Sequence, residues 1–222
     1  MEHKTKPFII DFAGRSGSGK TYVKNEVLKH LSSDYRCFDL SDYEVPLHDY
    51  FVFILTAPKS FIASLYLIFF HIPRDLKHMF TLLKKWLIVQ IKIKKARTLD
   101  YNFILSDEGF FKWFAIIRRL SLKKLVFAKI PDSVKKNFFY PDLTISVEAD
   151  FDTVQNRRKI RGLPPRKKRK TPAKFKEYQE NVRKDLFCAE KMELTRAIFY
   201  NNNEKFDVSL INAVRDYANG LK

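Results

Sequence analysis

The chain has little glycine, little cysteine, few carboxylates and no long unbroken apolar run. Two cysteines, Cys37 and Cys188, are too few for a disulfide scaffold or a Cys-rich zinc site and fit a reducing compartment. The five histidines show no metal-ligand spacing, and there is no internal repeat. The opening MEHKTKPFIIDFAG passes directly from polar residues into a short apolar run, without the longer apolar region and small-residue cleavage site of an export signal. A cytoplasmic location is therefore expected. The most apolar stretch, residues 51–72, is broken by Pro58 and Lys59; its longest intact part, SFIASLYLIFFHI, falls well short of the ~20 residues of a membrane span. Against 25 Asp and Glu stand 42 Lys and Arg, a net charge of +17. Such an excess predicts an anionic partner: nucleotide phosphates, nucleic acid or an acidic membrane surface.

What is present suffices for one folded domain. With 222 residues and 45% hydrophobic side chains the chain can bury a sizeable core, and a single domain over residues 1–222 is expected. Of its six glycines, Gly14, Gly17 and Gly19 fall within six consecutive positions, followed by Lys20 and Thr21. FIIDFA before them reads as a buried strand. TYVKNEVLKHL after them sets Val23, Val27, Leu28 and Leu31 on one helical stripe. Gly14-x-x-x-x-Gly19-Lys20-Thr21 between strand and helix is the phosphate-binding loop pattern. A chance match in a chain this long has a probability on the order of 1% at average residue usage. The loop Gly14, Arg15, Ser16, Gly17, Ser18, Gly19, Lys20 and Thr21 is thus the expected ATP cradle. Its backbone N–H groups and the helix start would meet the β-phosphate, Lys20 the β and γ oxygens, and the Thr21 hydroxyl Mg²⁺.

Further strands are expected at YRCFDLSDYE, YNFILSDEG and PDLTISVEAD. In a doubly wound parallel sheet the carboxyl ends of strands line the ligand crevice. Asp107, after an apolar strand, is expected to hold the Mg²⁺ shell with Thr21, and Asp42 to stand at the end of the second strand; Glu44 and Glu108 are reserves. Residues 152–170 combine a helix with the basic run RKKRK after Gly162, Pro164 and Pro165, so residues 157–175 are expected to form a basic lid. Arg157 and Arg161, four apart, share a helical face on which two guanidiniums can clamp a moving phosphoryl group. The run also reads as a solvated charge cluster, a nuclear signal or a nucleic-acid patch.

Several of these stretches together resemble the thymidylate kinase branch of the nucleoside monophosphate kinase family. GRSGSGKT resembles its phosphate loop, and LIFFHIPRDLKH its acceptor-side helix, with Arg74 as the arginine. PDLTISVEADFDTVQNRRKIRG resembles the entry to its lid, and AIFYNNNEKFDVSLINAVRDYA its last strand, adenine-side loop and closing helix. The resemblance implies a three-layer α/β fold with a mainly parallel sheet and an Arg-rich lid, with ATP as donor. Two positions depart from it: LSDYEVP replaces the Arg-Glu-Pro-Gly-like acceptor motif, and Glu108 stands where the family has Arg. A phosphate acceptor wants cations, whereas an alcohol needs a carboxylate to take or orient its proton. The expected reaction is therefore γ-phosphoryl transfer from Mg-ATP to a small-molecule or saccharide hydroxyl activated by Asp42, with Lys20, Asp107, Arg157 and Arg161 as the other catalytic groups. Arg74 and Glu108 are expected on the acceptor side. The alternatives are a thymidylate-like nucleoside monophosphate kinase and a nucleic-acid-stimulated or regulatory P-loop NTPase.

FIASLYLIFF, LLKKWLIVQIKIKK and FFKWFAIIRRLSLKKLVFAK alternate apolar residues with lysines. Two readings stay open: helices buried in the core or in a homodimer interface, or peripheral contact with an anionic membrane, whose acceptor could then be a membrane-associated glycan.

Overall fold

The computed structural model of the chain describes residues 6–71, 76–107, 109–121, 125–162, 172–203 and 205–220. Arg74, Glu108 and the basic run 166–170 lie outside the described residues. Five parallel strands form one sheet: β1 (Phe8–Ala13), β2 (Cys37–Asp39), β3 (Phe103–Ser106), β4 (Leu143–Glu148) and β5 (Arg196–Asn201), in the order β2-β3-β1-β4-β5. β1 is central and buried along its whole length, as its continuous apolar run requires of a strand covered on both faces.

The alternation of side chains along β1 divides the molecule into three layers. Ile10 and Phe12 join Leu143, Ile145 and Val147 of β4 on one face, covered by Val23, Val27 and Leu31 of α1 (Lys20–Leu31) and by Leu210, Ile211 and Val214 of α9 (Ser209–Asn219). Ile9 and Ala13 point the other way, into a larger core built by α2 (Leu47–Thr56), α3 (Pro58–His71), α4 (Leu76–Ala96), α5 (Phe110–Leu120) and α8 (Pro172–Lys191). The short α6 (Asp132–Lys135) and α7 (Phe151–Ile160) complete the described helices. The three-layer α/β fold with a parallel sheet agrees with the sequence-based expectation.

The alternation of lysine and apolar residues in α4 and α5 is a core pattern. Trp86, Val89, Ile91 and Ile93 of α4 and Phe110, Phe111, Phe114 and Ile117 of α5 are buried. Phe110 is the centre of this packing: its ring lies 4.8 Å from Trp86, 5.1 Å from Phe111, 5.8 Å from Phe138 and 4.4 Å from Tyr140. Such pairs add to area burial by holding aromatic edges against faces.

β2 stops at Asp39, the first of the three acidic residues in the stretch expected to run as far as Glu44. The Asp39 carboxylate accepts a hydrogen bond from the Ser41 backbone N–H at 2.9 Å and so caps a 3₁₀ turn over Leu40–Asp42. This turn takes Asp42 out of the strand end and into solvent, and places Asp39 at the carboxyl edge instead.

Truncating Phe110 to Ala empties the middle of the aromatic cluster and should cost about 3–5 kcal/mol of stability. Phe187→Ala, at a 66% exposed position, should cost about 0.5 kcal/mol or less. Urea unfolding midpoints at constant slope check the difference.

Candidate active site

The loop after β1 turns back over the carboxyl edge of the sheet with Gly14 at φ 138°, Gly17 at 95° and Gly19 at 91°. Two of these positions exclude any other residue. A Cβ on Gly14 would overlap the Val147 carbonyl oxygen, and one on Gly19 would overlap the Asn202 amide, on top of the left-handed backbone. The loop is closed by Ser18 N–H donating to the Arg15 carbonyl at 3.1 Å, and Lys20 Nζ donates to the same carbonyl at 3.2 Å. Gly19 caps α1, whose first turn carries no acidic side chain, so the positive end of that helix faces the loop.

Two other chain segments clamp the loop from behind. Arg157 of α7 donates to the Ser18 carbonyl at 3.1 Å and to the Asn202 carbonyl at 2.7 Å, while Asn202 Nδ2 donates to the Ser18 carbonyl at 2.7 Å. Arg157 thus holds the loop in position, in contrast to its expected partnership with Arg161 in clamping a phosphoryl group. Arg161, at the C-terminal end of α7, lines the cavity in front of the loop. Arg15 stacks its guanidinium on two rings of α8, 4.6 Å from Phe175 and 5.0 Å from Tyr178.

Thr21 and Asp107 meet as expected. Thr21 Oγ1 donates to Asp107 at 2.9 Å, and Ser41 Oγ lies 3.2 Å from the other Asp107 oxygen. Lys24, 3% exposed, reaches Asp39 at 2.5 Å, Ser41 at 3.1 Å and Asp107 at 3.8 Å. Burial works against ionisation of Asp39, but the hydrogen bonds from Lys24 and Ser41 prevail and hold its carboxyl below the ordinary range. Among the described residues there is no cluster of three or more His, Cys, Asp or Glu that could hold a metal alone. The Thr21 hydroxyl and Asp107 carboxylate are hard oxygen donors of the kind Mg²⁺ accepts alongside phosphate oxygens and water, so the pair fits an ion arriving with a nucleotide.

Two cavities open at this edge. One, of about 490 Å³, runs along the loop from Gly14 to Tyr22 and on to Arg119, Arg161 and Tyr178. The other, of about 800 Å³, lies between α4, α5 and the 3₁₀ turn, with Lys24, Lys85, Lys92 and Lys112 around it and Leu40, Ile88, Val89, Ile93 and Trp113 as walls. The two share Thr21, Asp107, Lys112 and Ile116. Lys85 Nζ sits 5.3 Å above the Trp113 ring, and Lys92 donates to the Leu40 carbonyl at 3.0 Å. Asp42 lines neither cavity.

Residues not singled out from the sequence are prominent here. Lys85 and Lys92 are seven apart with Ile88 and Val89 between them, and Lys112 and Arg119 are seven apart with Ala115 and Ile116 between them. Each set is one stripe of a helix, a period legible in the sequence. Asp39 is one of the three acidic residues, with Asp42 and Glu44, expected at the end of the second strand, whereas Asn202 and Asp11 carried no such signal. Asp11, in the middle of β1, is 1% exposed, and among the described residues no geometrically well-formed hydrogen bond reaches either carboxyl oxygen. It faces Gly109, where a Cβ would collide with the carboxyl group. Burial, then the Asp107 charge, raise its pKa to about 7, against the opposing pull of the Gly109 backbone, Lys112 and Lys20.

No family model matches the chain, and no curated protein matches it. Among solved structures it is similar to a deoxyadenosine kinase from M. mycoides with bound dCTP, at 14% sequence identity over 96% of this chain and 100% of that one, with a TM-score of 0.46.

Because the folded state holds the Asp11 proton more tightly than the unfolded chain, its contribution to stability is complete below about pH 4 and is lost as pH rises through about 7. Asp11→Asn should remove that loss, so the variant gains stability over the parent above pH 7 and the two converge near pH 4. Thermal unfolding of the nucleotide-free protein from pH 4 to 8 measures this; parallel curves would contradict it.

Proposed function

We propose that the chain is an ATP-dependent phosphotransferase that moves the γ-phosphoryl group to an acceptor already carrying a phosphate, of nucleoside monophosphate type. The observation that carries this reading is the meeting of two cavities at Thr21, Asp107 and Lys112. The cavity along the loop suits the donor's triphosphate. The second brings four lysines around one carboxylate, which suits an anionic acceptor, and its apolar walls with Trp113 suit a flat, weakly polar body such as a base.

In this reading the loop N–H groups, the start of α1 and Lys20 hold the β and γ phosphates. Magnesium, held by Thr21 and Asp107, would supply neutralisation of the charge that builds up between them. Lys112, common to both cavities, faces the gap that the phosphoryl group crosses, and Arg119 and Arg161 add positive charge from the donor side. A phosphate oxygen is already a competent nucleophile and needs no base, so positioning and electrostatics supply most of the rate. The saccharide-hydroxyl reading loses its support because the proposed base, Asp42, is exposed and outside both cavities.

The test is transfer from labelled ATP to parallel panels of nucleoside monophosphates, nucleosides and sugars. Label on the monophosphate panel is the expected result; transfer to nucleosides or sugars alone, or hydrolysis without transfer, would overturn the reading. Lys20→Ala should lower turnover by about 10²-fold or more with an unchanged unfolding midpoint. Lys85→Glu combined with Lys92→Glu should raise the acceptor KM by about tenfold or more while nucleotide affinity stays as in the parent.

A further inference from the structure

The large apolar side chains that the fold leaves exposed are concentrated in one place. Of thirteen described positions, eight fall between Leu47 and Phe80, on α2, α3 and the start of α4. Leu47 is 74% exposed, Leu55 80% and Phe70 75%, with Phe51, Ile62 and Phe80 all above half. The three helices pack on one another, and Phe80 closes the patch onto α3 by setting its ring 5.8 Å from Phe69. Only Asp49 and Phe53 of α2 are buried. A helix apolar nearly all round is expected in a core or against lipid, and a soluble monomer rarely leaves so large a patch uncovered.

Charge decides what covers it. Between Leu47 and Lys84 the described Lys, Arg, Asp and Glu residues are Lys59, Lys77, Lys84 and Asp49; Lys85 and Lys92, further along α4, line the second cavity. Asp49 is buried and bound by Tyr43 and His48. Lys59 stands exposed at the bend between Leu55 and Ile62, and Lys77 and Lys84 are exposed on α4. Asp42 and Glu44, both exposed, lie on the segment before α2, as Lys77 and Lys84 lie on the helix after α3. A second copy docked about a two-fold axis would bring this cationic face against itself. Exposed apolar side chains together with Lys59, Lys77 and Lys84 complement an anionic bilayer.

Length decides how it would be met. No single described helix is long and apolar enough to cross a membrane; α2 and α3 reach that hydropathy only together, and they are bent by 104°. At 1.5 Å per residue they measure roughly 15 and 21 Å, against about 30 Å for a hydrocarbon core. The inner face of α3, with Ser60, Ala63, Leu67 and Ile68, is fixed in the protein core. With that inner face held in the core, the hairpin is placed to lie on a membrane surface.

We propose that the outer face of the α2–α3 hairpin is an interfacial anchor that seats the protein on an anionic lipid surface. Its test is independent of any catalytic reading. Purified full-length chain is sedimented with vesicles of phosphatidylcholine containing 30% phosphatidylglycerol and with vesicles of phosphatidylcholine alone, over a salt series, while light scattering after gel filtration reports the oligomeric state. The expected result is binding to the anionic vesicles that weakens with salt, weak binding to the neutral ones, and at least about a tenfold loss in Phe51→Gln/Leu55→Gln, whose circular dichroism and unfolding midpoint match the parent. Equal binding to both vesicle types, undiminished binding by the double variant, or no binding by the parent would each overturn the proposal. A parent dimer that the double variant converts to monomer, with no vesicle binding, would assign the face to a second copy instead.

Discussion

The carbonyl oxygen of Ser18 is the point from which the site hangs. Arg157 and Asn202 both donate to it, and Arg157 continues to the Asn202 carbonyl, so the glycine loop, α7 and the end of β5 are tied at one place. A loop with three residues at positive φ would otherwise sample many shapes, because glycine restrains it little. A charged donor on a carbonyl of the buried Ser18 is worth roughly 1.5–3 kcal/mol, more than an ordinary neutral hydrogen bond. The loop is thus held at its Ser18 carbonyl from behind and closed on itself by the Ser18 N–H on the Arg15 carbonyl.

Charge is distributed in depth around that loop. The buried Lys24 is compensated by Asp39, Ser41 and Asp107, so a cation is kept at the junction of the two cavities at little cost in unpaired charge. Lysines on α4 and α5 stand further out. Lys85 is supported by the Trp113 ring, and Lys92 by the Leu40 carbonyl. Part of the chain's excess positive charge thus lines the cavities, and part of it, Lys59, Lys77 and Lys84, is exposed on α3 and α4.

Legibility in the sequence followed the range of the interactions. The phosphate loop was plain because strand, glycines, lysine and helix are contiguous and each local preference agrees with the fold. Thr21 and Asp107, 86 residues apart, come within hydrogen-bonding distance because β1 and β3 are parallel neighbours whose carboxyl ends share an edge. Asp42 was misplaced because an Asx-capped turn at Asp39 ends β2 early, and several acidic residues in a row hide which one caps. Arg157 and Arg161 were assigned one role from their spacing, but the Ser18 and Asn202 carbonyls, 139 and 45 residues away, claim Arg157. The second cavity's lysines were present as seven-residue stripes and were read as alternation because the surrounding apolar residues have no polar break.

The same helix explains why site and hairpin are built as one piece. α4 turns Lys85, Val89 and Lys92 toward the second cavity and Trp86 into the aromatic core, while its first turns carry Phe80 into the exposed patch. Trp86 is further locked by donating from its indole nitrogen to Ser64 of α3 at 3.1 Å. An interior packed at crystal-like density transmits displacement along such a rod with little loss. α3 and the wall of the second cavity are thus joined through the buried Trp86 indole and through the Phe69–Phe80 ring pair.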